Sequence, residues 1–168
     1  MKGAPMVCCR ECGAHVPDIA GPTHDYVPSA PGCWASFGEV QADALTRFGS
    51  PRRHGTVVDC YMAQHPGDGH ERRSRHSPIV HLVALSLLIE HGIDGKGTFV
   101  RLARLLARQA NFQPLAPRAE LGRLTILDMR NCVGAEDYAG RAETWAQEIW
   151  RTWAHEQDTI RNLVSMVL

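Results

Sequence analysis

The chain has 168 residues, with 18 lysines and arginines against 18 aspartates and glutamates, six cysteines and nine histidines. This balance removes the broad positive field of a general polyanion binder, so nucleic acid is an unfavoured partner, although a local basic patch stays open. The opening "MKGAPMVCCRECG" lacks the apolar core of a secretion signal, and the longest strongly apolar run, "LVALSLLI", falls far short of the roughly 20 residues that span a bilayer. The expectation is a cytoplasmic protein without a membrane segment, whose cysteines are reduced thiols or metal ligands rather than disulfides.

One domain over 1–168 is expected, long enough to bury a core without a metal. Residues 1–33 are dense in Cys, Pro and Gly without a sustained period, and read as a loop-rich knuckle packed on a helical bundle at 34–168. From Trp34 the spacing of Phe37, Val40, Ala44, Leu45 and Phe48 predicts an amphipathic helix ending near "GSPRR". "TVVDCYMAQHPG" predicts a shorter helix with Thr56 as N-cap and Pro66-Gly67 as the stop. "HPGDGHERRSRHS" reads as a polar loop. "SPIVHLVALSLLIEHG" then predicts the central buried helix, Ser77 capping it and Pro78 in the first turn.

A further helix is predicted over "TFVRLARLLARQANF", with Phe99, Leu102, Leu105 and Leu106 inward and Arg101, Arg104 and Arg108 outward. After a Pro-rich connector, "TILD" opens a short helix from about Thr125 to Cys132. The segment from about Ala135 reads as one long helix or two in tandem, with Trp145, Trp150 and Trp153 in the core. No strand is predicted. The fold class is all-α, a bundle of about five to six helices.

Cys9 and Cys12 in "CRECG" have the spacing with which a tight turn points two thiolates at one tetrahedral ion, and Gly13 suits the reversal. One CxxC is half a zinc site. Cys33 in "PGCW", at the mouth of a helix whose dipole favours a thiolate, is the candidate third ligand, and His65, at a helix end beside "PG", the candidate fourth. Zinc is the expected ion, with other transition metals open. Cys8 is a weaker rival to Cys9. His81, in the most apolar helix, requires a partner if buried; Asp59 would serve it, and the two are the candidate catalytic residues of an alternative, metal-dependent hydrolase-like reading that also gathers His54 and His65. Arg52, Arg53, Arg72, Arg73 and Arg75 flank a loop pair and are read as solvated, with anion binding as the alternative.

These motifs, "CRECG", "PGCWASFGE", "DCYMAQHPG" and "HLVALSLLIE", in that order, resemble the bacterial family catalogued as domain of unknown function 5946. The resemblance covers about the first 90 residues and, more loosely, the Trp-rich end. It adds Glu39 and Gln64 to the residues of interest and implies no activity. The sequence departs from the family pattern in the alanine of "SAPGCW" and in Cys60, where alanine is usual. A structural metal site, a metal enzyme, a thiol-redox pair and an interaction module, including a protein partner or a homodimer, remain the competing readings.

Overall fold

The computed structural model describes residues 5–109 and 111–168; residues 1–4 of the expected knuckle and Ala110 of the fourth expected helix lie outside them. Strands β1 (Met6–Cys8) and β2 (His15–Pro17) form an antiparallel hairpin, Val7 opposite Val16. Six helices follow: α1 (Pro31–Phe48), α2 (His54–Gln64), α3 (Arg72–His91), α4 (Gly95–Arg108), α5 (Ala135–Thr152) and α6 (Gln157–Ser165). The fold is helical, as expected, and the hairpin is the correction. Strands of three residues are too short to show alternation, and their register rests on a turn in which Cys9 donates to the Ala14 carbonyl at 2.8 Å and Gly13 to that of Cys9 at 2.7 Å.

Central helix α2 packs mainly against α3 and α5, and α3 also carries α4 and α6. The core between them holds Tyr61, Leu82, Leu85, Tyr138, Trp145, Ile149 and Trp153, all at most 1% exposed. Trp145, Trp150 and Trp153 are core residues, as their spacing predicts, and the C-terminal segment is two helices joined by a 3-10 turn at Ala154–Glu156.

Several helix ends differ from expectation. α1 begins at Pro31, so Cys33 lies within its first turn rather than before it. α2 begins at His54, capped by Arg53 in the left-handed region (φ 72°), and Thr56 is buried in the first turn instead of capping it. α3 starts five residues before the expected Ser77: Glu71 and Ser74 form a capping box in which each side chain meets the other's backbone N–H, and Pro78 lies inside the helix. The arginine-rich "ERRSR" is therefore largely helix. On α4 only Leu105 is buried; Phe99 is 75% and Leu106 42% exposed, because α4 touches the bundle along the narrow arc of Thr98, Leu102 and Leu105. The "TILD" start is capped as predicted, Thr125 with Asp128, but continues only as a 3-10 turn over Ile126–Met129.

Candidate metal centre

Three separate segments carry the thiols and the imidazole to one point. The hairpin turn between β1 and β2 supplies Cys9 and Cys12, and Gly13 takes the left-handed conformation (φ 78°) that closes it. The first turn of α1 supplies Cys33. Gly32 is what allows α1 to approach: a Cβ at this position would overlap the carbonyl oxygen of Pro17 at the end of β2. The C-terminal end of α2 supplies His65, whose N–H closes on the Met62 carbonyl as the helix stops.

The Cys12 and Cys33 sulfurs lie 3.8 Å apart, and the His65 Nε2 is 3.6 Å from the sulfurs of both Cys9 and Cys33. All four donor atoms fall within 4.8 Å of one another, and all four residues are at most 2% exposed. A tetrahedral zinc with ordinary bond lengths separates two sulfurs by about 3.8 Å and a sulfur from a nitrogen by about 3.6 Å. A disulfide would need its sulfurs about 2 Å apart, and all six cysteines are free. The cluster is compatible with a metal site.

The surroundings prepare each donor. His65 Nδ1 donates to the Tyr61 carbonyl at 2.7 Å, one helical turn back, which leaves the Nε2 lone pair aimed at the sulfurs. The Tyr61 ring stacks on the imidazole with centroids 4.1 Å apart, and its hydroxyl reaches the Cys33 sulfur at 3.6 Å. Hydrogen bonds from Cys12 and then Cys33 pull the Cys9 thiol well below its ordinary pKa, against the cost of burial. Cys33, followed by Cys9 and burial, pushes Cys12 up. Cys33 rises to about 11: its bond with Cys12 pulls it down, but Cys9 and burial outweigh that. Burial opposes ionising all three thiols together; a bound divalent cation would supply the charge that offsets this.

Arg118, from the Pro-rich connector, clasps the site from outside. Its guanidinium donates to the carbonyls of Glu11, between the two hairpin cysteines, at 2.7 Å, and of Gln64, beside His65, at 2.8 Å. It also lies over the Trp153 ring, 5.7 Å from its centroid. Burial lowers its pKa, opposed by Glu11 and Cys12. Its positive charge would suit a metal-bound form in which three thiolates exceed the charge of a divalent ion. The Gln64 side chain ties α2 to the connector through the Leu124 carbonyl at 2.8 Å. Sequence reasoning missed Arg118, for which an arginine among prolines offers no signal; for the imidazole's support the sequence offers one clue, that Tyr61 and His65 lie four apart and so share a helix face.

The other singled-out residues lie elsewhere. His81 Nδ1 pairs with Asp59 Oδ1 at 2.8 Å, the predicted partnership, but the pair is separate from the cluster, and His65 does not join it. His54 opens α2 with its Nδ1 buried and unpaired. Cys60 is in the core, where burial raises its pKa, and adds no thiol to the cluster; Cys8 is exposed. Glu39 pairs with Arg130 at 2.8 Å. Arg52 and Arg53 are taken up in ion pairs with Glu136, Glu143 and Asp94, and Arg75 donates to the carbonyls of Gly69 and His70.

A family model described as a family of unknown function, DUF5946, matches residues 7–154, which take in all four donors and the bundle through Trp153. The chain belongs to that family. No curated protein and no solved structure matches it.

Proposed function

We propose that this protein binds one zinc ion through Cys9, Cys12, Cys33 and His65, and that the ion clamps the N-terminal hairpin onto the helical bundle. The agreement between the donor separations and tetrahedral coordination carries this reading. A structural role follows from closure. Four protein donors complete the coordination sphere, and their burial leaves no position for a substrate or an activated water, as a catalytic zinc would require. The donor set of three thiolates and an imidazole favours zinc over hard cations. Free thiols throughout suit a reducing, cytoplasmic setting. No described helix is long and apolar enough to cross a membrane.

The test is elemental analysis of protein purified without a metal-affinity tag, beside the Cys9→Ser, Cys12→Ser double variant. About one equivalent of zinc, lost in the variant together with stability, is expected. Freshly reduced protein that holds no stoichiometric metal would refute the assignment.

A further inference from the structure

Between α2, α3 and α4 lies a cavity of about 330 Å³, lined by none of the four clustered donors. Its size falls at the lower end of small-molecule sites, which combine apolar walls with a few convergent polar groups. Leu88 of α3 and Leu102 and Phe99 of α4 supply the walls, and Thr56 and Asp59 of α2 the polar groups. Phe99, the one aromatic ring of α4, stands at this cavity rather than in the core its spacing predicts.

Two observations point to a ligand. Thr56 is only 7% exposed, and its hydroxyl, with no hydrogen-bond partner among the described residues, keeps contact with solvent at the cavity. Such a hydroxyl is a free donor and acceptor for a bound polar group. Asp59 is held by His81 through one oxygen, leaving its second oxygen without a protein partner among the described residues. The imidazole thus fixes the carboxylate while half its accepting capacity stays available.

The pairing of the lining charges selects the ligand's sign. Arg52 and Arg53 also line the cavity, but Glu136, Glu143 and Asp94 already match their guanidiniums. Asp59, by contrast, faces only the His81 imidazole, so its second oxygen is the acceptor the lining leaves unmatched. We propose that this cavity binds a small molecule with a ring-sized apolar body and a protonated amine. The amine donates to the free oxygen of Asp59 and to the Thr56 hydroxyl, and the body lies between Leu88, Leu102 and Phe99. His81 acts as a positioning residue for Asp59. This site is independent of the metal centre and of its assignment.

The experiment is an amide NMR titration of the full chain with three probes of matched shape: benzylamine, benzyl alcohol and benzoate. Benzylamine is expected to shift the Thr56, Asp59 and Leu88 amides and to bind at least tenfold more tightly than the other two. Asp59→Asn should weaken it at least tenfold. Leu102→Trp, which fills the cavity and leaves the Asp59–His81 pair intact, should abolish it. If Asp59→Asn does not fold, Leu102→Trp and Thr56→Val decide the matter, and benzylamine affinity unchanged in both overturns the proposal. Equal binding of benzyl alcohol or benzoate, or no shift at these amides with any probe, overturns it as well.

Discussion

The N-terminal segment at 5–29 and the bundle formed by α2, α3 and α5 are held by different physics. The bundle buries large side chains completely, Leu82, Leu85, Tyr138, Trp145 and Ile149 among them. The N-terminal segment exposes Met6 at 58% and Ile19 at 41%, and apart from its cysteines its fully buried apolar residues are Ala14, Val16 and Val27. Ordering one residue costs about 1–2 kcal/mol of backbone entropy, whereas burying a valine returns about 1.5–2 kcal/mol. Two valines and an alanine offset only a few residues of that segment. In the proposed zinc-bound form, coordination supplies the difference, since structural zinc sites in small peptides contribute on the order of 10 kcal/mol at neutral pH.

Removing the metal should therefore break the comparison most sharply. Chelation, or the Cys9→Ser, Cys12→Ser variant, should release residues 5–33 while α3 and α5 stay folded. Hydrogen exchange should show protection falling at least a hundredfold around Val7, Val16 and Cys33, and much less around Leu85 and Ile149. Uniform loss across both regions would mean that the metal holds the bundle too; unchanged protection at Val16 would mean that the hairpin needs no ion. The complementary cut is Leu85→Ala in the bundle core, expected to cost about 3 kcal/mol in denaturant unfolding while leaving about one zinc per chain. Loss of metal in that variant would show that the two regions are not energetically separable.

Gly32→Ala should sit between these extremes. The added Cβ meets the backbone of Pro17, which cannot rotate away, so α1 and β2 must separate. A loss of about 2 kcal/mol is expected from this overpacking, with metal affinity lowered because Cys33 moves with α1. Full stability with weakened metal binding would place the effect entirely at the cluster, and the paired zinc and denaturant measurements tell the two apart.

The legible parts of this molecule were those with strong local chemistry. CxxCG, PGCW and HPG each advertise a donor beside a turn, and the apolar run at 79–89 could only be a buried helix. What stayed hidden depends on tertiary partners. Arg118 reads as a loop cation until two carbonyls from distant segments meet it. The early start of α3 rests on a capping box with glutamate in the N-cap place and serine three residues on, the reverse of the usual order, and the Ser77-Pro78 pair mimics a true start. The outward Phe99 and Leu106 reflect how little of α4 the bundle covers, which no periodicity reveals.

Arg118 joins the two regions, so Arg118→Met tests their coupling. The variant keeps the contact with Trp153 but removes donors from two carbonyls, with an expected cost of about 1–2 kcal/mol. Faster zinc release to a chelator is also expected, because the hairpin turn and the end of α2 lose their common tie. Destabilisation with an unchanged release rate would assign Arg118 to the bundle alone.

The smallest effect belongs to an exposed charge pair within the bundle. Arg161 of α6 grips Glu90 of α3 with three N–H···O contacts of 2.8–3.2 Å. This contact, aided by Ser86 and opposed by partial burial, lowers the Glu90 pKa below its ordinary 4.5. A carboxylate whose pKa is depressed on folding stabilises the protein above its unfolded pKa, and that contribution is lost as the pH falls through the folded value. Glu90→Gln should therefore cost about 0.5 kcal/mol at pH 7, the usual scale for a solvent-screened pair. The difference from the parent should shrink as the pH drops below about 4.5. Denaturant midpoints at pH 7 and pH 3.5 measure both, with the metal-free Cys9→Ser, Cys12→Ser background used at each pH so that acid release of zinc does not enter. A difference that persists at pH 3.5 would assign the effect to packing between α3 and α6 rather than to charge. Unlike Arg118, which faces the N-terminal segment, this pair touches only the bundle, so it should leave the exchange protection of residues 5–33 unchanged in the metal-bound protein.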